Sequence, residues 1–294
     1  MIPAIVDQPR RLADRHRRSR RSRATRAVAT GIASGVYIAF AAHLIVRGFG
    51  WLDLDFLTAL PSRFADQTGI GAALTGSVMM IVPALLVAIP GGIIVAMYLE
   101  ELAAPSRSTR ILRHWMNLLA TTPPVIHGIV GLLVATLDLG LGRSLAAGTL
   151  TLTALLLPRI AIRARGALAE VPAALRHHAW SLGASRWQTL RHHVIPAARR
   201  HLLAASTVAV GRTFGDAAPL VVLGGLIWVA ASPAGPHDPV TALPLEVFGW
   251  ATRPEVDFRQ LAAAGATVLL ALYTFIWALG WIWRGDDAKQ GARR

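Results

Sequence analysis

Six apolar stretches dominate this chain, at roughly 27–46, 73–99, 115–136, 145–163, 202–230 and 261–283. Each is about 20 residues or more, the length a helix needs to cross a hydrocarbon core about 30 Å thick. Inside a bilayer every backbone donor and acceptor must be satisfied by protein. Repeated runs of this kind therefore fold as a bundle of spanning helices. The fold class expected is all-α integral membrane, with six transmembrane helices. Composition agrees, since 54% of the residues are hydrophobic, only 16% are charged, and the mean hydropathy is +0.48.

Arginine placement orients the bundle. Residues 1–26 hold nine arginines, Arg10, Arg11, Arg15, Arg17, Arg18, Arg20, Arg21, Arg23 and Arg26. The loop near 100–114 adds Arg107, Arg110 and Arg113. The loop 164–200 adds Arg165, Arg176, Arg186, Arg191, Arg199 and Arg200. The alternate loops 47–72, 137–144 and 231–260 are poorer in arginine and carry Asp53, Asp55, Asp66, Asp138, Asp238, Glu246, Glu255 and Asp257. By the positive-inside rule both termini are cytoplasmic. Residues 1–26 then form an Arg-rich cytoplasmic tail, 27–284 the membrane domain with cytoplasmic loop 164–200, and 285–294 a second tail. A nucleic-acid-binding arm is the other reading of the first tail. The long apolar run behind it favours topology. That run is also too long for a signal peptide.

Two absences narrow the chemistry. There is no cysteine, so disulfides and thiol sites are excluded. The single lysine, Lys289, precedes Gln290, so the Gly-Lys-[Ser/Thr] of a phosphate-binding loop does not occur. No catalytic or metal site is expected in this chain, and no cofactor of its own.

Val171 to Pro196 reads as two short amphipathic helices joined at a corner. Pro172 suits a first helical turn. Gly183 suits a left-handed exit. Ser185 with Gln188 three residues on is a capping-box pattern. Trp187, Leu190 and Val194 form an apolar stripe, and Pro196 ends the unit. The spacing Ala179-x3-Gly183-x12-Pro196 resembles the "EAA" loop of ATP-driven importer permeases, Glu-Ala-Ala-x3-Gly-x9-Ile-x-Leu-Pro. The resemblance implies coupling helices that dock on an ATPase. His177 stands where the pattern has Glu, His178 replaces its first Ala, His193 its Ile, and Ile195 its Leu.

Three further features lie within the spans. Thr121-Thr122-Pro123-Pro124 interrupts the third, and two prolines kink or break a helix. Gly128 and Gly131 allow close helix approach. His127 lies three residues past Pro124, either as a hydrogen-bonded core histidine or on a pathway. In the fifth span, Arg212 and Asp216 stand at i and i+4 and are expected to pair on one helical face. A charge inside a bilayer is a functional-site hypothesis by default, and the planar Arg fork suits oxyanions. Arg159 and Arg163 are likewise i, i+4. They either snorkel to the cytoplasmic interface or meet substrate.

With these motifs placed, residues 27 to 284 resemble the PstA family, membrane subunits of phosphate ABC importers. Asp53 to Ser62 is similar to its "LDFLTGLPS", Ala96 to Glu101 to "GIYLEEY", Pro123 to Gly131 to "PSIVYGLFG", Gly211 to Leu220 to "ARAIGETAPL", and Ala242-Leu243-Pro244 to "ALP". The resemblance implies a type I importer permease fold (MetI-like) in the bacterial inner membrane. It implies a PstC-like sister permease, a PstB-like ATPase dimer that binds ATP-Mg, and a PstS-like periplasmic phosphate-binding protein. Phosphate would cross by alternating access. Arg212, Asp216, Arg163, Pro123 and His127 would line the pathway. His177, His178, Ala179, Gly183, Trp187, Ile195 and Pro196 would form the coupling loop. The family's glutamates after Arg163 and in the EAA position are absent. A permease for another oxyanion (molybdate, sulfate or phosphonate) and a self-contained channel or secondary transporter are the competing readings.

Overall fold

The computed structural model describes residues 8–223, 229 and 231–284, with backbone alone for 8–24, 281, 283 and 284. The tail 285–294 lies outside the described residues. The chain divides into two units, 1–47 and 48–294. The first is the bulk of one helix, α1 (Gln8–Gly48). The stretch read as an Arg-rich tail is thus, from residue 8 on, continuous with the first span. The apolar part, Thr25–Trp51, is long enough to cross a bilayer.

In the second unit, α2 (Leu54–Thr58) leads to α3 (Gly71–Met97), which runs on through a π-helical turn at Tyr98–Leu102. There follow α4 (Arg107–Thr121), α5 (Pro124–Val130) with a π-helical continuation over Gly131–Asp138, and α6 (Leu145–Ala169). Next come α7 (Ala173–Ser181), α8 (Arg186–Thr189), a π-helical turn at Leu190–Val194, and α9 (Ile195–Gly215). The order closes with α10 (Ala218–Val222), α11 (Leu243–Ala251) and α12 (Val256–Arg284).

Besides the α1 span, α3, α6 and α12 are long and apolar enough to cross a membrane. The third expected span, 115–136, is no straight crossing, because α4 and α5 meet at 106°. Pro123 and Pro124 cause the bend. Proline removes backbone donors, and the residue before a proline is pushed out of helical geometry. Thr122 is accordingly extended, with ψ 134°. Its hydroxyl and that of Thr121 donate to the Leu118 and Asn117 carbonyls, at the end of α4 just before the break.

The fifth expected span, 202–230, also differs. It is carried by α9 and α10 with a break at Asp216–Ala217, and residues 224–228 and 230 lie outside the described set. Arg199, Arg200 and Arg212 leave α9 less apolar than its neighbours. Pro196 does not end the loop either. It stands in the first turn of α9, directly after the π-helical turn. A proline ring clashes with the carbonyl four residues back, and the wider π turn is how a helix accommodates such a residue.

Four apolar clusters among the described residues hold this unit together, the smallest around Ala135, Ala147 and Leu223. The central one joins α3, α6, α9 and α10 through Met80, Leu152, Leu156, Ile160, Ala209 and Leu220. A second, at the α11 end, gathers Phe56, Ile70, Leu243, Trp250 and Leu261. There Ser77 on α3 accepts a hydrogen bond from the Leu243 N–H at 2.8 Å, capping the start of α11. The third lies under the α7–α8 loop and joins Ala96, Leu168, Val171, Leu190, Val194 and Leu202.

Candidate functional site

The two helix breaks come together. α5 packs on α10 so closely that a Cβ on Gly128 would lie 2.5 Å from the Pro219 carbonyl oxygen. Only glycine permits that approach. The Thr-Thr-Pro-Pro break and the Gly-Asp-Ala-Ala-Pro break therefore sit side by side, with α6 against both.

Asp216 caps the end of α9 with φ −79° and ψ 82°, outside the helical region. This turns its side chain away from the face that the i, i+4 spacing assumed. It pairs not with Arg212 but with Arg159 of α6, whose Nη1 donates to Oδ2 at 2.9 Å. Both side chains are largely buried, at 19% and 26% exposure. Arg159 is thus an interior residue and not a snorkelling one. The ion pair crosses between helices at the break. Arg212 itself is exposed on the last turn of α9, and it has no partner among the described residues. Arg163 is half-buried one turn beyond Arg159.

His127 is 7% exposed, and neither ring nitrogen has a hydrogen-bond partner among the described residues. It lines a cavity of about 460 Å³ beside Leu119, Ile126, Val130, Val134 and Leu157. A buried polar group without a partner is costly, so such groups call for an explanation. His127 is thus a buried histidine on the wall of this cavity. Pro123 is exposed at the start of α5 and marks the break. The described residues contain no group of His, Asp and Glu that could hold a metal ion.

The loop 171–196 forms as its capping motifs require. Pro172 occupies the N-cap of α7, with φ −56°. Gly183 turns the corner at φ +84°. Ser185 and Gln188 make the reciprocal capping box at 3.2 and 2.8 Å. Ala179, Leu190 and Val194 face inward at 6%, 1% and 0% exposure, but Trp187 is 53% exposed. The expected stripe therefore loses its first member. The π-helical turn changes the phase between Trp187 and Val194, so a strict 3.6-residue spacing no longer holds. His177 and His178 are exposed, and the His177 ring stands edge-on to Trp180 at 5.4 Å.

Two adjacent carboxylates after α3 tie it to its neighbours, Glu101 to this loop and Glu100 to the end of α6. Glu101, 8% exposed, takes Arg176 in a double contact: Nη2 donates to Oε1 at 2.5 Å and Nε to Oε2 at 3.0 Å. Arg176 also donates to the carbonyls of Val171 and Leu168. The Glu101 carboxylate beside it raises the Arg176 pKa, so the guanidinium stays charged. Glu100 meets Arg165 at 3.2 Å. The signal was present in the sequence: adjacent acids at the end of an apolar run, in a region where every loop is basic.

A helical bundle with two apposed breaks, an interior ion pair and a fastened two-helix loop defines a membrane transport permease. The chain matches the family described as binding-protein-dependent transport system inner membrane component over residues 88–279, and it belongs to that family. It is 31% identical over 233 residues to the probable ABC transporter permease protein YqgH of Bacillus subtilis, covering 76% of this chain and 75% of that one. It is 29% identical over 232 residues to the phosphate transport system permease protein PstA of Haemophilus influenzae, covering 77% and 79%. Among solved structures, an inward-facing form of the MetNI methionine ABC transporter matches with TM-score 0.58 at 19% identity, covering 73% of this chain and 94% of that one. That likeness establishes the type I importer permease fold. The protein is a multi-pass inner-membrane permease subunit of an ABC importer. Such a subunit works with an ATPase and a substrate-binding protein.

Proposed function

We propose that this permease carries inorganic phosphate into the cell, with ATP-Mg bound and hydrolysed on a PstB-like partner dimer. A PstC-like sister permease would complete the pathway, and a PstS-like periplasmic protein would deliver the substrate. The observation that carries the reading is Arg212, an arginine of the fifth apolar stretch that has no partner among the described residues and stands one turn before Asp216 of the Arg159–Asp216 pair. Asp216 compensates Arg159, so the site keeps the charge of Arg212 for an incoming anion. A guanidinium offers two parallel donors to two oxygens of a phosphate. The PstA relatives, with 26–29% identity, support phosphate over other anions. The loop 171–196, fastened to α3 by Glu101, supplies the contact through which ATP-driven movement reaches the breaks.

Another oxyanion is the second reading. It is favoured by relatives such as YqgH and YqgI, whose names carry no substrate. Uptake of labelled phosphate by cells expressing the chain with its partners, challenged by molybdate, sulfate or phosphonate, separates the two. Uptake suppressed by phosphate alone supports the first. Suppression by another anion transfers the assignment to it.

A further inference from the structure

The outward face of the coupling loop has an unusual charge character. Residues 171–200 contain no aspartate or glutamate. Of the acids next to the loop, Glu101 is buried on Arg176, Glu100 pairs with Arg165, and Glu170, 67% exposed, lies against His201 at the far end of the loop from its corner. Arg186 and Arg191 are exposed and have no partner among the described residues, and His177 and His178 are exposed beside them. Between these arginines and histidines the corner projects three apolar side chains, Leu182 at 87% exposure, Trp187 at 53% and Trp180 at 41%. These cannot turn inward, because Ala179, Thr189, Leu190 and Val194 already fill the inner face.

From this face, and resting on the importer reading, we infer that the ATPase partner of this chain presents an apolar groove with an acidic rim. The apolar tip supplies the buried anchor, since aromatic side chains dominate interface energetics. The cationic ring selects the partner and speeds docking, because like-charge juxtaposition strongly disfavours the wrong one. His177, at the position where the importer pattern has a glutamate, is part of the same inversion. An ATPase whose groove is built for a carboxylate there is discriminated against.

The test uses the full chain with its sister permease and ATPase, purified in neutral-lipid nanodiscs, with retained ATPase and ATP turnover measured against ionic strength. Exposed charge pairs are screened beyond about 8 Å at physiological salt, so wild-type retention falls as salt rises. Arg186→Glu with Arg191→Glu lowers low-salt retention at least about tenfold, and the difference shrinks at high salt. His177→Glu weakens retention in the same direction, and Trp187→Ala does so at every salt concentration. Wild-type-like retention in the charge-reversed variant, or stronger retention with His177→Glu, overturns the inference while leaving the importer reading intact. Turnover that falls only when anionic lipid is added, with retention unchanged, assigns the face to lipid headgroups and overturns it too. A wild-type chain that never retains an ATPase overturns the importer reading itself.

Discussion

Arg159 and Asp216, 57 residues apart in the chain, meet at 2.9 Å across the break between α9 and α10. The pair ties α6 to the one point where the fifth expected span gives up its helical hydrogen bonds. It also leaves Arg212 without a partner among the described residues. Removing one partner strands a largely buried charge. Asp216→Asn is therefore expected to destabilise the detergent-solubilised protein by about 2 kcal/mol, between the limits for exposed and buried pairs. Arg159→Met with Asp216→Leu recovers much of that loss. Thermal unfolding of the three variants measures it, and a double variant no better than Asp216→Asn contradicts the assignment.

Arg212→Gln removes a charge that has no partner among the described residues. Membrane insertion and unfolding temperature should hold, while phosphate uptake falls about tenfold or more, as expected for loss of a charge-assisted contact. An unchanged uptake rate makes Arg212 a surface residue of α9 and nothing more.

Gly183 sits at φ +84° with open space where a Cβ would go. Backbone strain, not a clash, therefore decides the outcome. Gly183→Ala costs about 1–2 kcal/mol in this conformation and should lower ATP-coupled uptake partly. Gly183→Arg adds bulk at the corner and should abolish it without loss of insertion. Coupling retained in the arginine variant would remove the corner from the docking surface.

The Glu101–Arg176 contact predicts a change in coupling as well as in stability. Glu101→Gln should loosen the loop from α3, so that ATP hydrolysis persists while uptake per ATP drops several-fold. Glu101→Arg with Arg176→Glu should restore part of that ratio. Uptake and hydrolysis measured together in proteoliposomes decide it, and a ratio equal to wild type in Glu101→Gln refutes the role.

Glu246 on α11 gives a pH signature. Burial pushes its pKa above the ordinary 4.5, against the opposing influences of the Thr241 hydroxyl and Arg253. The folded state thus holds this proton more tightly than the unfolded chain does. The resulting stability is full below about pH 4.5 and is lost as pH rises through the elevated folded pKa. Glu246→Gln removes this slope and raises the unfolding temperature at neutral pH relative to wild type. Parallel pH profiles for the two proteins would contradict it.

Much of this architecture was visible in the linear chain because bilayers impose simple rules. Span length, arginine bias, the paired prolines and the Ser185–Gln188 capping box each rest on local geometry or on the solvent. The misreadings share a cause. Arg212 and Asp216 were paired by assuming that the helix continues, yet Asp216 ends it. Trp187 was aligned with Leu190 and Val194 on an ideal period that the π-helical turn before Pro196 shifts. Glu100 and Glu101 were passed over because their partners, Arg165 and Arg176, are 65 and 75 residues away.

The sequence by itself determined that this chain is a helical membrane permease, where its helices break and where its two-helix cytoplasmic loop lies. Those features follow from hydrophobic length, proline chemistry and short-range caps. Only the tertiary structure decided which charges meet. It set the Thr-Thr-Pro-Pro break against Pro219 through Gly128, gave Asp216 to Arg159, and turned Glu101 under the loop. Ion pairing depends on the direction in which a side chain leaves a broken helix, and that direction is set by packing among distant segments.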